Sequence, residues 1–159
     1  FITDLAQLDV GEVRRRIERS HRPYVAYLDR QPVAYGWIAT TQGAIEELSF
    51  TFAIPPRNRY LWDFVTLPAW RGRGIYAHLL QAIIRQELAA AERFWIGHTV
   101  DNIASRQGIL KSGFQQIEAL IMLADGTLKI KSLGASGRAP FSPMALQLGV
   151  VNSGSGQNI

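Results

Sequence analysis

Residues 60 to 100 hold the stretch that limits the fold most. An apolar run YLWDFVTL is followed by a turn PAWRGRG, a run IYAHLLQAIIRQELAA with helical spacing, and a second apolar run FWIGHTV. Strand, turn, helix and strand in that order make a βαβ unit, whose strands run parallel because the helix carries the chain back along the sheet. The first run is apolar on both faces, as a central strand covered on both sides requires. Its one charge, Asp63, falls on the same parity as Leu61 and Val65. In the helix, Tyr76, Leu79, Leu80, Ile83 and Leu88 mark one side and His78, Gln81 and Arg85 the other, with an end expected near Ala91.

The flanking sequence adds antiparallel pieces to this unit. Asp9 with Glu12 three residues on resembles a capping box, and Val10, Val13 and Ile17 recur at helical spacing up to about Ser20. Arg14, Arg15, Arg16 and Arg19 on this helix read as a solvated face. YVAYL and VAYGWIAT, joined by DRQP, form a hairpin. From Ile45 to Ile54, Leu48, Phe50, Phe52 and Ile54 alternate with Ser49, Thr51 and Ala53, the pattern of one half-buried strand that Pro55 and Pro56 stop. Asp101 or Asn102 caps a second helix that leaves through Gly113 and Phe114, and ALIMLADGTLKIKSL is a hairpin around Asp125 and Gly126.

One domain over residues 1–133 and a Gly/Ser/Pro-rich, mobile tail over 134–159 are expected, with MALQLGVV at 144–151 able to dock on the sheet. A chain of 159 residues, 47% apolar, is long enough for a core of its own. The absence of cysteine excludes a disulfide framework, a thiolate nucleophile and a Cys-based zinc site, and makes a reducing cytoplasm the default. No apolar run is long enough to span a bilayer and FITDLAQLDV lacks the features of a signal peptide, so a soluble chain is expected. The opening Phe1 points to an incomplete or processed N-terminus, with an N-terminal strand missing. A net charge of +4 is compatible with an anionic ligand.

The turn is where an anion would sit. A strand that ends in a glycine turn and feeds a helix presents backbone N–H groups and the positive end of the helix dipole to one spot. A P-loop would need four residues between its glycines and then Lys-Ser/Thr, which the sequence lacks. Gly72, Gly74 and Ala77 satisfy the dinucleotide fingerprint G-x-G-x-x-A, but that motif opens a series of βαβ units and only one is countable here.

A third pattern covers far more of the chain. Thr66, Leu67 and Pro68, then Ala69 and Trp70, then Arg71, Gly72, Arg73, Gly74, Ile75 and Tyr76 resemble V-x-P, two residues and R-x-x-G-x-G/A, the donor-binding motif of the GNAT superfamily of N-acetyltransferases. Thr66 replaces the usual Val, and Tyr76 the final Gly or Ala. Asn102, Ser105, Gly113 and Phe114 match the family's second helix, which begins N-x-x-A/S and ends G-F. The resemblance spans about residues 22 to 131. It implies a mixed α/β fold with a twisted, mostly antiparallel sheet. The parallel strands near 60–67 and 93–100 would splay at its centre to admit the pantetheine arm of acetyl-CoA. Phe64, Val65, Thr66, Arg71, Gly72, Arg73, Gly74, Ile75, Tyr76, Asn102 and Ser105 are then the residues that hold acetyl-CoA.

The resemblance also implies direct transfer of acetyl to a primary amine, without metal or covalent intermediate, and a backbone N–H near Thr66 as oxyanion donor. For the base, Asp63 in its apolar strand is the first candidate, since desolvation raises a carboxyl pKa; Glu46 and Glu47 come second, and His98 is more readily structural. Many relatives carry a tyrosine acid four residues before Gly-Phe, and here that residue is Ile109. Tyr76 in the donor loop is a substitute, with Tyr60 more remote, though packing is the better reading of Tyr76. The expected partner is an amine acceptor, a small molecule or a protein, with neither nucleic acid nor membrane; a homodimer stays open. The rival readings are a CoA-binding sensor without catalysis and a dinucleotide-binding domain.

Overall fold

The computed structural model describes residues 2–133 and 142–148. They fall into two compact units, the first made of 2–43 and 54–114 and the second of 44–53, 115–133 and 142–148. The expected mobile tail over 134–159 lies outside the described residues, apart from 142–148.

The first unit opens with two short helices, α1 (Ile2–Ala6) and α2 (Val10–Glu18). Asp9 caps α2 as its spacing predicts, its Oδ1 accepting from the Glu12 amide at 2.9 Å. β1 (His21–Leu28) and β2 (Gln31–Ala39) form the expected antiparallel hairpin, turned by Asp29 and Arg30, both in the left-handed region.

β3 (Gln42–Ile45) leads from the first unit into the second, where β4 (Phe50–Ala53) pairs with it. The single strand expected over 45–54 is therefore corrected. Glu46–Leu48 coil into a 3₁₀ turn and Ser49 takes φ 46°, so within that run Ile45 ends β3 and Phe50–Ala53 form a separate strand. Side-chain alternation reported burial there but not the turn chemistry of the two glutamates and the serine.

The chain then returns to the first unit as β5 (Asn58–Thr66), followed by α3 (Ile75–Glu87), β6 (Arg93–Ile96) and α4 (Ile103–Lys111). The sheet order β1-β2-β5-β6 makes β5 central, antiparallel to β2 and parallel to β6. The βαβ unit is as expected, although β6 stops four residues short of Val100. Asn102 caps α4 by accepting from the Ser105 amide at 2.9 Å, and Gly113 leaves the helix with φ 100°.

Two cores sandwich this sheet. Ala34, Ile38 and Leu61 pack with Leu79, Leu80 and Ile83 of α3 and Ile109 of α4. On the opposite face Tyr35 and Trp37 pack with Val13 of α2 and with Ile2 and Leu5 of α1. The far end of α3 is tied down by a buried ionic cluster: Glu87 accepts from Tyr24 Oη at 2.6 Å, Arg59 Nε at 2.7 Å and Arg22 Nη2 at 2.9 Å.

In the second unit β7 (Glu118–Met122) and β8 (Leu128–Ser132) form the hairpin expected around Asp125 and Gly126, with Gly126 at φ 81°. MALQLGVV, read as a segment able to dock, contributes to a short helix, α5 (Pro143–Gln147), whose Pro143, Met144 and Ala145 are buried and which packs on β4.

Candidate functional site

The site grows from the point where β5 and β6 part. Their parallel pairing runs from Asn58↔Arg93 to Leu61↔Ile96 and goes no further, with Trp95 Nε1 bonded to Asn58 Oδ1 at 2.6 Å near the start. Beyond Leu61, β5 continues to Thr66 with β2 as its one neighbour among the described residues. The edge of Trp62 to Thr66 that would face β6 is thus left open, as a strand must be to pair with an extended ligand.

The turn follows at once. Pro68–Trp70 form a 3₁₀ turn, and Gly72 and Gly74 take φ 76° and 74°, which a side chain with a Cβ adopts only at a cost. Gly74 is the N-cap of α3, and its carbonyl receives the amide of His78 at 3.2 Å and faces His78 Nδ1 at 2.9 Å. The amides of Gly72 to Ala77 find no acceptor among the described residues, so the helix opens with several N–H groups and its dipole aimed outward. Arg71 Nε donates to the Thr66 carbonyl at 3.1 Å, closing the turn onto the strand, and the Arg73 guanidinium lies 4.8 Å from the Trp70 ring centroid. Both arginines are exposed. The result is a turn of outward-facing amides beside an open strand edge, an arrangement able to receive an anion.

Tyr76 and Ser105 knit α3 to α4. The tyrosine Oη lies 3.3 Å from Ser105 Oγ, its ring is 5.5 Å from that of Phe64, and a Cβ on Gly108 would come within 2.3 Å of it. Burial pushes the Tyr76 phenol above its usual range, against the opposing effect of the Ser105 bond. Ile109, at the position of the usual tyrosine acid, is buried in the core on the α3 side.

Asp63 is not where its parity puts it. Tyr35 pairs with Val65 and Trp37 with Trp62, so Asp63 and Phe64 together oppose Gly36 in a β-bulge, with Asp63 at φ 49°. The extra residue inverts the faces. Leu61 joins the core under α3 and Val65 the one under α2, whereas Phe64 turns to the α3 side and fits only because Gly36 lacks a Cβ, which would meet its ring at 2.1 Å. The Asp63 carboxylate, expected among apolar side chains, instead receives Arg16 Nη1 at 2.5 Å. Arg16 is 12% exposed, lies 4.4 Å and 5.0 Å from the Trp62 and Trp37 centroids, and is held by Glu12 Oε1 at 2.9 Å. Burial opposes its charge, but the bonds and charges of Asp63 and Glu12 outweigh it and raise its pKa. The sequence reading of Arg16 as solvated is corrected: its side chain lies between two tryptophans, a contact between distant segments that helical spacing does not reveal.

The remaining candidates are scattered. Glu46 and Glu47 are exposed in the 3₁₀ turn of the second unit. His98 lies beyond β6, not within a strand, its Nδ1 2.9 Å from the Thr99 carbonyl. Tyr60 is buried in β5.

Comparison with known proteins agrees with this geometry. The family model described as acetyltransferase (GNAT) family matches residues 4–114. No curated protein matches. Similar solved structures include an aminoglycoside 6'-N-acetyltransferase, AAC(6')-Ih from Acinetobacter baumannii, with TM-score 0.53 and 20% identity over 79% of this chain and 80% of that one. AAC(6')-Ig from Acinetobacter haemolyticus gives 0.53 and 20% over 72% and 77%. AAC(6')-Iy, solved with a bisubstrate analogue built on CoA, gives 0.56 and 16% over 72% and 78%. At these identities the likeness is one of fold.

Proposed function

The chain belongs to the acetyltransferase (GNAT) family, and we propose that it transfers an acetyl group from acetyl-CoA to a primary amine by direct attack in a ternary complex. The observation that carries this reading is the turn Arg71–Gly74 at the open end of α3, set beside the part of β5 that β6 leaves unpaired. In this reading the amides of Gly72 to Tyr76 hold the pyrophosphate, Arg71 and Arg73 add charge, and the edge of Phe64 to Thr66 pairs with the pantetheine amides. Acetyl-CoA supplies the activated thioester. In this reading an amide near Thr66 receives the oxyanion as the amine nitrogen bonds to the carbonyl carbon and the C–S bond breaks. Two protons leave the ammonium nitrogen in all: one ends on the departing thiolate, and the other must pass to a base before the amine can attack. Asp63 is committed to Arg16, which makes it a poor acceptor for that proton, and Asn102 and Ser105 serve to fix the start of α4 beside the donor.

The acceptor belongs to the proposal as well. Several structures of the same fold are aminoglycoside 6'-N-acetyltransferases, so an aminoglycoside opens the acceptor panel, followed by a polyamine and a peptide N-terminus. Burial of Ile109 in the place of the usual acid favours one second reading, a CoA-binding protein that transfers nothing.

Thermal shift against acetyl-CoA, CoA and NAD tests the donor. At about 100 times the dissociation constant, linkage adds ~2.7 kcal/mol, or roughly 5 to 11 °C for a domain of this size. Gly74→Glu, which sets a carboxylate against the phosphates, should weaken acetyl-CoA by more than about tenfold, ~1.4 kcal/mol, in a folded protein. A larger shift with NAD, or unchanged affinity in the variant, overturns the reading; binding without transfer to any amine leaves the sensor.

A further inference from the structure

The pairing of Arg16 with Asp63 has no place in the chemistry above, yet it touches the donor strand at its most irregular residue. We propose that Arg16 and Asp63 are positioning residues for the donor site: from the α2 side of the sheet, their ion pair holds the bulge that aims β5 at acetyl-CoA. The proposal rests on acetyl-CoA being the ligand of the open β5 edge.

Three observations converge on it. First, Asp63 holds a left-handed backbone without being glycine, a conformation that persists where its surroundings impose it. Second, what surrounds it is built for that purpose. Arg16 is sandwiched against Trp37 and Trp62 and fixed by Glu12 at one nitrogen, so its other end presents Nη1 to Asp63 with little freedom left. Third, the geometry downstream depends on the bulge. A side-chain period of two means that removing the extra residue from the register would swing Phe64 to the α2 side and Val65 to the α3 side. Phe64 would leave Tyr76 and the bare backbone of Gly36, and the amides of Val65 and Thr66 would turn with it. The ion pair lies on the α2 face of the strand and the donor edge lies in the plane of the sheet, so the pair acts through the backbone and need not touch the ligand. His21 and Tyr35 are the other titratable groups beside the pair, His21 edge-on to Trp62 and Tyr35 on the same face of β2.

The test uses the full chain with Arg16→Met, which keeps an apolar stem against the tryptophans, and with Asp63→Ala and Asp63→Asn. Asparagine tolerates the left-handed conformation and keeps an oxygen for Arg16, so it is the conservative rescue. Acetyl-CoA affinity by calorimetry should fall about tenfold, ~1.4 kcal/mol, in Arg16→Met and in Asp63→Ala, stay within about threefold in Asp63→Asn, and fall no further in the Arg16→Met/Asp63→Ala double variant. Two-dimensional NMR of the free proteins should show the amide signals of Phe64, Val65 and Thr66 displaced in Arg16→Met while that of Leu61 stays in place. Unmoved amides, or affinity unchanged in all variants, overturn the proposal. If Asp63 were instead the base, the Asp63 variants would bind acetyl-CoA normally and Asp63→Asn would be as slow in transfer as Asp63→Ala, which also overturns it. A wild-type chain that does not bind acetyl-CoA would defeat the functional reading alone, and the NMR displacement would still decide the clamp.

Discussion

Tyr76 shows how one residue can satisfy two descriptions. By position it lies in the first turn of α3, and its hydroxyl is the sequence's first candidate to take the place of the acid that Ile109 does not supply. By contact it is a wedge, with its ring against Phe64 and Gly108 and its Oη on Ser105. The contacts decide for packing, because a phenol already bonded to a partner on α4 is not aimed at a leaving group in the donor cleft. Tyr76→Phe should therefore cost about 0.5–1.5 kcal/mol of stability for the lost hydrogen bond and leave turnover within about threefold. A fall of roughly a hundredfold, the scale of a positioned proton donor, would return the acid role to it. Melting temperature and turnover measured on one preparation separate the two.

At the scale of elements, regular features were legible and irregular ones were not. Asp9 and Asn102 cap their helices because a short polar side chain before an apolar period has few other uses, and Gly72, Gly74 and Gly113 sit at positive φ where their spacing required turns. The alternation of β5 failed at Asp63 because a bulge needs one left-handed residue and a partner that tolerates close approach, and neither Asp63 nor Gly36 announces the other across 26 intervening positions of sequence. The 3₁₀ turn at Glu46–Leu48 escaped notice for a related reason, its apolar residues keeping a strand-like period through a break in the backbone. The contact of α3 with α4 gives a test of element packing. Alanine at Gly108 gains ~1 kcal/mol of helix propensity but places a Cβ 2.3 Å from the Tyr76 ring, and such overpacking costs about 1–3 kcal/mol. Gly108→Ala should thus destabilise the wild type by about 1 kcal/mol and stabilise a Tyr76→Ala background by a similar amount. Equal effects in both backgrounds would mean that the ring and the glycine do not interlock.

Across the whole molecule, the glycine turn before α3 could be read because its residue types are written in consecutive positions. Contacts such as that of Arg16 with Asp63 could not, since their side chains come from segments with no common spacing. The same distinction governs pH response, which depends on a cluster assembled from β1, β5 and α3 around Glu87. Burial opposes its charge, but bonds from Tyr24 and Arg59, with the charges of Arg22 and Arg59, hold its carboxyl below the usual range. A depressed carboxyl stabilises the fold fully above the unfolded carboxylate pKa of about 4.3 and ceases to do so as pH falls through the folded value. Burial, and then the bond to Glu87, push the Tyr24 phenol from 10.0 to about 12. A raised phenol acts in the opposite sense: its contribution is complete below about 10 and disappears as pH climbs toward the folded value. Stability should therefore hold a plateau between these limits and fall on both sides. Glu87→Gln removes the acid-side loss that belongs to this carboxyl. It lowers the plateau by about 3–5 kcal/mol, because Arg59 is left buried with no counter-charge. It also moves the Tyr24 titration down from about 12 only in part, since burial remains the larger cause. Urea unfolding across pH, with tyrosinate absorbance read alongside, checks all three; an unchanged plateau in Glu87→Gln would mean that the cluster does not anchor α3.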